Sequence, residues 1–246
     1  MTIQARAWSI ARRNRSVREI VRRLALIGPT RKFGTIWTAK PHSLMNSRRL
    51  SILYDLAAGF EREARSGSFV ECGVWNGGSS AVVASAARNN RTRQIWLFDS
   101  WEGLPEPSEL DTHLVSGRRG EKGMLPSSME TVRELLFDEL SLDPNRIHLV
   151  KGWFEETIPN VKKDIGTIAL LVLDCCWYES YKLCLHELYD SVVEGGIVWL
   201  DGYVGSRQGC KQAMDEFIAE RRLDVTLHPD PAGEGPPYWP AYLRKP

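Results

Sequence analysis

Three aspartates stand at or near the ends of apolar runs in this 246-residue chain. Asp99 closes Gln94–Asp99 (QIWLFD), Asp174 closes Ile168–Asp174 (IALLVLD), and Asp201 interrupts Ile197–Tyr203 (IVWLDGY). Nearly continuous apolar runs are what the central strands of a parallel sheet require, because both faces are covered. A carboxylate leaving such a strand is rarely buried unless it is paired or ligating. Asp99 could accept hydrogen bonds from the two neighbouring hydroxyls of a ribose. Asp174 and Asp201 emerge toward one cleft, where a divalent ion could bridge them, since hard cations prefer oxygen ligands. The plainer alternative is that Asp99 caps a loop and that the other two cap the helices that follow.

The first strand ends in Glu71-Cys72-Gly73-Val74-Trp75-Asn76-Gly77-Gly78. Glycines in such a turn let the backbone approach a ligand closely. The spacing is G-x-x-x-G-G, not the G-x-G-x-x-G of dinucleotide binders, and it lacks the Lys-Ser/Thr of a P-loop. With Asp99 at the next strand end, the pattern suits a nucleoside without a pyrophosphate. S-adenosylmethionine, with its sulfonium and amino-acid tail, fits that description; a merely tight turn remains the alternative.

The elements that must carry these residues alternate. Strands are expected at Ser68–Val74, Gln94–Asp99, Arg146–Gly152, Ile168–Asp174 and Ile197–Tyr203. Helices are expected at Ser79–Asn90, Ser127–Leu140, Glu155–Asp164, Glu179–Val193 and Gln208–Arg222, with Glu194-Gly195-Gly196 stopping the fourth. Asp224–His228 and Tyr238–Leu243 read as closing strands. This order predicts an α/β fold, a mostly parallel sheet with helices on both faces and the ligand at the strands' carboxyl edge.

Composition sets further bounds. A net charge of +1 gives no signature of a nucleic-acid binder. No apolar run approaches the ~20 residues of a membrane span. The five cysteines, Cys72, Cys175, Cys176, Cys184 and Cys210, include no C-x-x-C pair. That argues against a disulfide framework or a structural zinc site and for a reducing cytoplasm. Residues 1–45 read as a basic helical segment preceding a domain at 46–246. Its first 32 residues are Arg-rich, with Glu19 as their one acid. A helix packed on the domain or on a partner subunit, a membrane-surface helix and a targeting peptide are all open for it. The first of these makes a homo-oligomer, such as a dimer, the expected state.

Several linked motifs together, FVECGVWNGGSSA, FDSWEGLP, KGWFEETIP, LDCCWYESY and EGGIVWLDGY, followed by G-C-K-x-A-M-D-E-F, resemble the macrocin O-methyltransferase family over roughly residues 40 to 240. The resemblance implies a Rossmann-like class I methyltransferase that moves the methyl group of S-adenosylmethionine to a hydroxyl of a sugar or other natural product. It implies that Glu71, Gly73, Val74, Trp75, Asn76 and Gly77 line the methionine end of the cofactor. Asp99 would hold the ribose, with Ser100, Trp101, Glu102 and Gly103 beside the adenosine. Leu44 and Met45 sit where the family has Thr-Met, and Ser127 and Ser128 would approach the adenine. Asp174 matches the first metal ligand and proposed general base, and Asp201 the second ligand.

Two departures bear on Mg2+. Where the family has Asp-Asp after the fifth strand this chain has Asp201-Gly202, and where it has D-x-D this chain has Asp174-Cys175-Cys176. Two aspartates with waters could still hold the ion, more weakly. Without a metal, His113, in the Gly/Pro-rich segment Pro105–Pro126, and His228 become alternative bases. Six tryptophans near strand ends, including Trp75, Trp153 and Trp177, could frame an acceptor, although core packing is their commoner use. A nucleotide-dependent oxidoreductase and a non-catalytic relative are the rival readings.

Overall fold

The computed structural model describes residues 26, 28–111, 119–205, 208–229 and 238–246; side chains at 204–205, 227–229 and 238–240 lie outside the description. The Arg-rich segment before residue 26, on which the homo-oligomer expectation rests, and His113 are therefore outside it, as is the His228 side chain.

Seven strands form one sheet among the described residues. They are β1 (Ser68–Cys72), β2 (Ile95–Asp99), β3 (Ile147–Lys151), β4 (Ile168–Leu173), β5 (Val192–Gly205), β6 (Leu227–Pro229) and β7 (Tyr238–Arg244). Their order is β3-β2-β1-β4-β5-β7-β6. The first five run parallel, and β7 is antiparallel to both β5 and β6. Strand order reverses between β1 and β4, so a crevice opens at their carboxyl ends.

The period of two divides the central strands between two cores. Phe69, Leu97, Leu170 and Trp199 face one side. There they meet α1 (Arg31–Ala39), α2 (Ser47–Arg62), α3 (Gly78–Ala86) and α4 (Met129–Arg133). Val70, Phe98, Leu171 and Val198 face the other, under α5 (Phe154–Ile165), α6 (Tyr178–Leu188) and α7 (Gln208–Arg221). The sequence expectation of helices on both faces of a mostly parallel sheet is met.

Some boundaries differ. The helix expected over Ser127–Leu140 is α4 followed by a π-helical turn, Glu134–Glu139. The helix expected to reach Val193 ends at Leu188, and Glu194-Gly195-Gly196 lie inside β5 rather than stopping a helix. Their backbone is already committed elsewhere. Gly195 N–H donates to the Lys245 carbonyl (2.7 Å), and Lys245 N–H donates to that of Gly196 (2.8 Å). The Arg65 guanidinium also donates to the Glu194 and Gly195 carbonyls. The strand expected at Asp224–His228 is shorter and later, at Leu227–Pro229.

The helix α2 was not anticipated, although its signals are present in the sequence. Leu50, Leu53, Ala57 and Phe60 recur at helical spacing and are buried. Asn46 is its N-cap: the side-chain oxygen accepts from Arg49 N–H at 2.9 Å. This cap fixes the first turn, which carries Arg49 toward the carboxyl edge of the sheet. Asn46→Ala should lower stability by about 1 kcal/mol, read as a lower urea midpoint at unchanged m-value.

Candidate active site

A cavity of about 560 Å³ opens at the carboxyl edge, over the switch between β1 and β4. Its floor begins at Gly73, whose φ of +92° lies in the left-handed region. A Cβ there would lie 2.3 Å from the Asp174 carbonyl oxygen, so only glycine lets the β1 and β4 ends approach this closely. Gly73 N–H donates to the Phe98 carbonyl and Asp174 N–H to the Cys72 carbonyl, both at 2.9 Å. These bonds extend the sheet by one residue and bring both loops into the cavity.

Asp99 is heavily engaged. Its Oδ2 accepts from the Val74 and Trp75 N–H groups, both at 2.8 Å, and Oδ1 from Trp101 N–H at 2.7 Å. A carboxylate offers about four acceptor positions, so roughly one is left for a ligand hydroxyl. The loop-cap alternative for Asp99 is thus realised, and it coexists with a place on the cavity wall.

Asp174 and Asp201 both line the cavity. At the start of α6, Tyr178 N–H donates to Asp111 Oδ1 at 2.8 Å, and the N-cap residue Trp177 makes no side-chain cap. Asp201 sits where β5 bulges away from β7: pairing runs Leu200↔Ala241, then Val204↔Trp239. Tyr181 Oη lies 2.8 Å from the Leu173 carbonyl and 2.5 Å from that of Asp201, tying the two strand ends together. Full burial raises the Tyr181 pKa well above its ordinary value, so the hydroxyl keeps its proton.

Of the cofactor residues expected from the sequence, Leu44, Met45, Gly73, Val74, Trp75, Ser100 and Gly103 join Asp99 on the cavity wall. Glu71, Asn76, Gly77, Trp101, Glu102, Ser127 and Ser128 do not line it. Gly77 is the left-handed N-cap of α3, Ser128 caps α4, and Trp101 packs into the core. Glu71 lies just beneath, buried in β1 with Ser80 Oγ donating to its Oε2. Its Oε1 is buried with no hydrogen-bond partner. Burial pushes its pKa up to about 8, opposed by the serine hydroxyls and reinforced by Asp174 and Asp99.

Sequence reasoning missed Arg49, His42 and Ser43, which reach the cavity from the N-terminal side. A lone arginine heading the apolar stripe of α2 was the available signal. Arg49 Nη2 forms an ion pair with Asp201 Oδ1, both side chains being mostly buried. For a divalent ion the donor set falls short. Asp201 is engaged, position 202 is a glycine, and no group of three or more His, Cys, Asp or Glu suited to a metal occurs among the described residues. For S-adenosylmethionine the fit is better, with the glycine-floored cavity, the open position on Asp99 and the orphaned Glu71 oxygen.

Comparison with known proteins gives one consistent answer. The macrocin-O-methyltransferase (TylF) family description matches residues 3–229. Demethyldecarbamoylnovobiocin O-methyltransferase of Streptomyces niveus is 32% identical over 196 residues, covering 77% of this chain and 72% of that protein. The 8-demethyl-8-(2,3-dimethoxy-alpha-L-rhamnosyl)-tetracenomycin-C 4'-O-methyltransferase of Streptomyces olivaceus is 30% identical, covering 76% and 71%. The solved O-methyltransferase NovP superposes with a TM-score of 0.69 at 27% identity, covering 83% of this chain and 82% of its own.

The buried Glu71 makes stability depend on pH. Its folded pKa of about 8 exceeds the ordinary 4.5, so between these values the folded chain binds the extra proton. Its contribution is most favourable below about pH 4.5 and is lost as pH rises toward 8, at up to about 1.4 kcal/mol per pH unit. Urea unfolding of Glu71→Gln should show this slope reduced relative to the unsubstituted protein between pH 5 and 8. Identical slopes would mean that the carboxyl is not held protonated.

Proposed function

Since the chain belongs to the macrocin-O-methyltransferase (TylF) family, we propose that it transfers the methyl group of S-adenosylmethionine to a hydroxyl of a sugar or glycosylated natural product, with Asp174 as the general base. The observation that carries this reading is one cavity walled by Asp99 at the β2 end and Asp174 at the β4 end. In that frame one end of the cavity suits a nucleoside and the other an acceptor.

The sulfonium of the bound cofactor supplies a methyl carbon already activated for in-line displacement. The chain's own task is to align an acceptor oxygen with that carbon and to take its proton. Gly73, Val74 and Trp75 present backbone to the methionine portion, and Glu71 lies beneath them with one carboxylate oxygen unpartnered. Asp99 offers its remaining acceptor position to a ribose hydroxyl. Asp174 faces the other part of the cavity, where its carboxylate receives the acceptor's proton. Ser127 and Ser128 stand outside the cavity wall, so adenine contact falls better to Leu104 and Leu125, which line it.

The same reading favours a reducing compartment, because all five cysteines are buried thiols. No helix among the described residues is long and apolar enough to cross a membrane.

Calorimetric titration with S-adenosylhomocysteine tests the cofactor, and micromolar binding is expected. Turnover is then screened on a panel of rhamnosylated, other glycosylated and phenolic acceptors. On an acceptor so identified, Asp174→Ala should lower kcat by about 100-fold or more, the range for loss of a general base. Its affinity for S-adenosylhomocysteine should stay nearly unchanged. Undiminished turnover would remove Asp174 from the role.

A further inference from the structure

Arg49 lines the cavity together with Asp174 and Asp201. Its guanidinium is paired with the Asp201 carboxylate, and the two side chains are only 10% and 15% exposed. Both partners are held from behind. Asn46 caps the helical turn that carries Arg49, and Tyr181 bonds the backbone of Asp201 on the β5 bulge. A buried guanidinium stays charged at any accessible pH and stabilises negative charge that its N–H groups can reach.

A divalent ion between Asp174 and Asp201 would meet three obstacles. One Asp201 oxygen, Oδ1, already faces the Arg49 guanidinium, a fixed positive charge adjoins the position, and displacing Arg49 would leave a buried cation without its carboxylate. The two positions where the resemblance expects further carboxylates supply none: Gly202 has no side chain, and Cys176 presents a thiol, a poor ligand for Mg2+.

We infer that Arg49 is the resident cation of this site and takes the place of the metal. Its guanidinium donates to the acceptor oxygen as the proton passes to Asp174, the new O–CH3 bond forms and the S–CH3 bond breaks. The products are a methyl ether and S-adenosylhomocysteine. Asp201 is a positioning residue that aims Arg49. The catalytic part of this inference rests on the methyltransferase reading above; the exclusion of a divalent cation does not.

Mn2+ binding to the full chain, followed by the electron paramagnetic resonance of the free ion, tests the inference with and without S-adenosylhomocysteine. The unsubstituted protein should bind Mn2+ no more tightly than about 1 mM, the range of weak oxygen sites. Arg49→Gln removes the charge and should tighten Mn2+ binding by about tenfold or more, as expected when a like charge adjacent to the site is lost. Arg49→Lys keeps the charge and should show no such gain. Adding Asp201→Asn to Arg49→Gln should abolish it. Micromolar Mn2+ binding by the unsubstituted protein would overturn the inference without any variant having to fold. So would an Arg49→Gln protein that binds Mn2+ no better. A protein that fails to bind S-adenosylhomocysteine while still excluding Mn2+ would refute the methyltransferase reading and leave the resident cation standing. With an acceptor identified, turnover should be unaffected by EDTA and should fall about 100-fold in Arg49→Gln, as when one preorganised donor is removed; EDTA-sensitive turnover would overturn it.

Discussion

The approach of Gly73 to the Asp174 backbone governs the rest of the site. At this point two adjacent parallel strands end and their loops must part, yet the Asp174 N–H bond to the Cys72 carbonyl keeps β4 on β1 one residue longer, and the Gly73 N–H bond to the Phe98 carbonyl does the same for β1 on β2. Any side chain at 73 would collide with the Asp174 carbonyl. That single constraint places the cofactor turn and the proposed base on one floor. The apolar runs beneath are the means of holding it, because strands covered on both faces have little freedom to shift.

At this edge of the sheet the fold handles four carboxylates in four ways. Glu71 is buried deeply enough to favour its protonated form below about pH 8. Asp99 spends most of its acceptor capacity on three backbone N–H groups. Asp201 is matched with Arg49. Asp174 has its backbone fixed by the sheet and its side chain on the cavity wall. Negative charges gathered at one edge would repel one another, and these arrangements let them coexist.

Much of this was legible in the sequence. Strand ends could be read because β2, β4 and the Ile197–Leu200 part of β5 are nearly unbroken apolar runs, and a carboxylate is conspicuous after IWLF or IALLVL. Parallel order followed from alternation with helices. What escaped were features set by partners distant in the chain. Gly195 and Gly196 look like a helix stop, but the C-terminal strand and Arg65 claim their backbone from roughly 50 and 130 residues away. The role of Arg49 depends on an ion pair across 152 residues, and a local pattern shows only an arginine on an apolar stripe. Ser127 and Ser128 were assigned by family position, whereas Ser128 is occupied as a helix cap.

The flanks of the glycine- and proline-rich segment after β2 follow the same logic. Leu104 and Met124 pair through their backbones, as do Gly123 and Leu104, closing a narrow stem whose Leu104, Pro105 and Leu125 line the cavity. Trp177 Nε1 donates to the Pro105 carbonyl at 3.1 Å, and Gly120 lies against the Trp177 ring, where a Cβ would clash. Asp111, buried, accepts the first N–H of α6. The stem is therefore bolted to Trp177 and Tyr178, three and four residues after Asp174, so this wall of the cavity and the Asp174 loop are held together. A displacement of the stem would loosen the start of α6 and with it the Asp174 loop. A guanidinium as little exposed as that of Arg49 acts on nearby charge far more strongly than the same group in solvent.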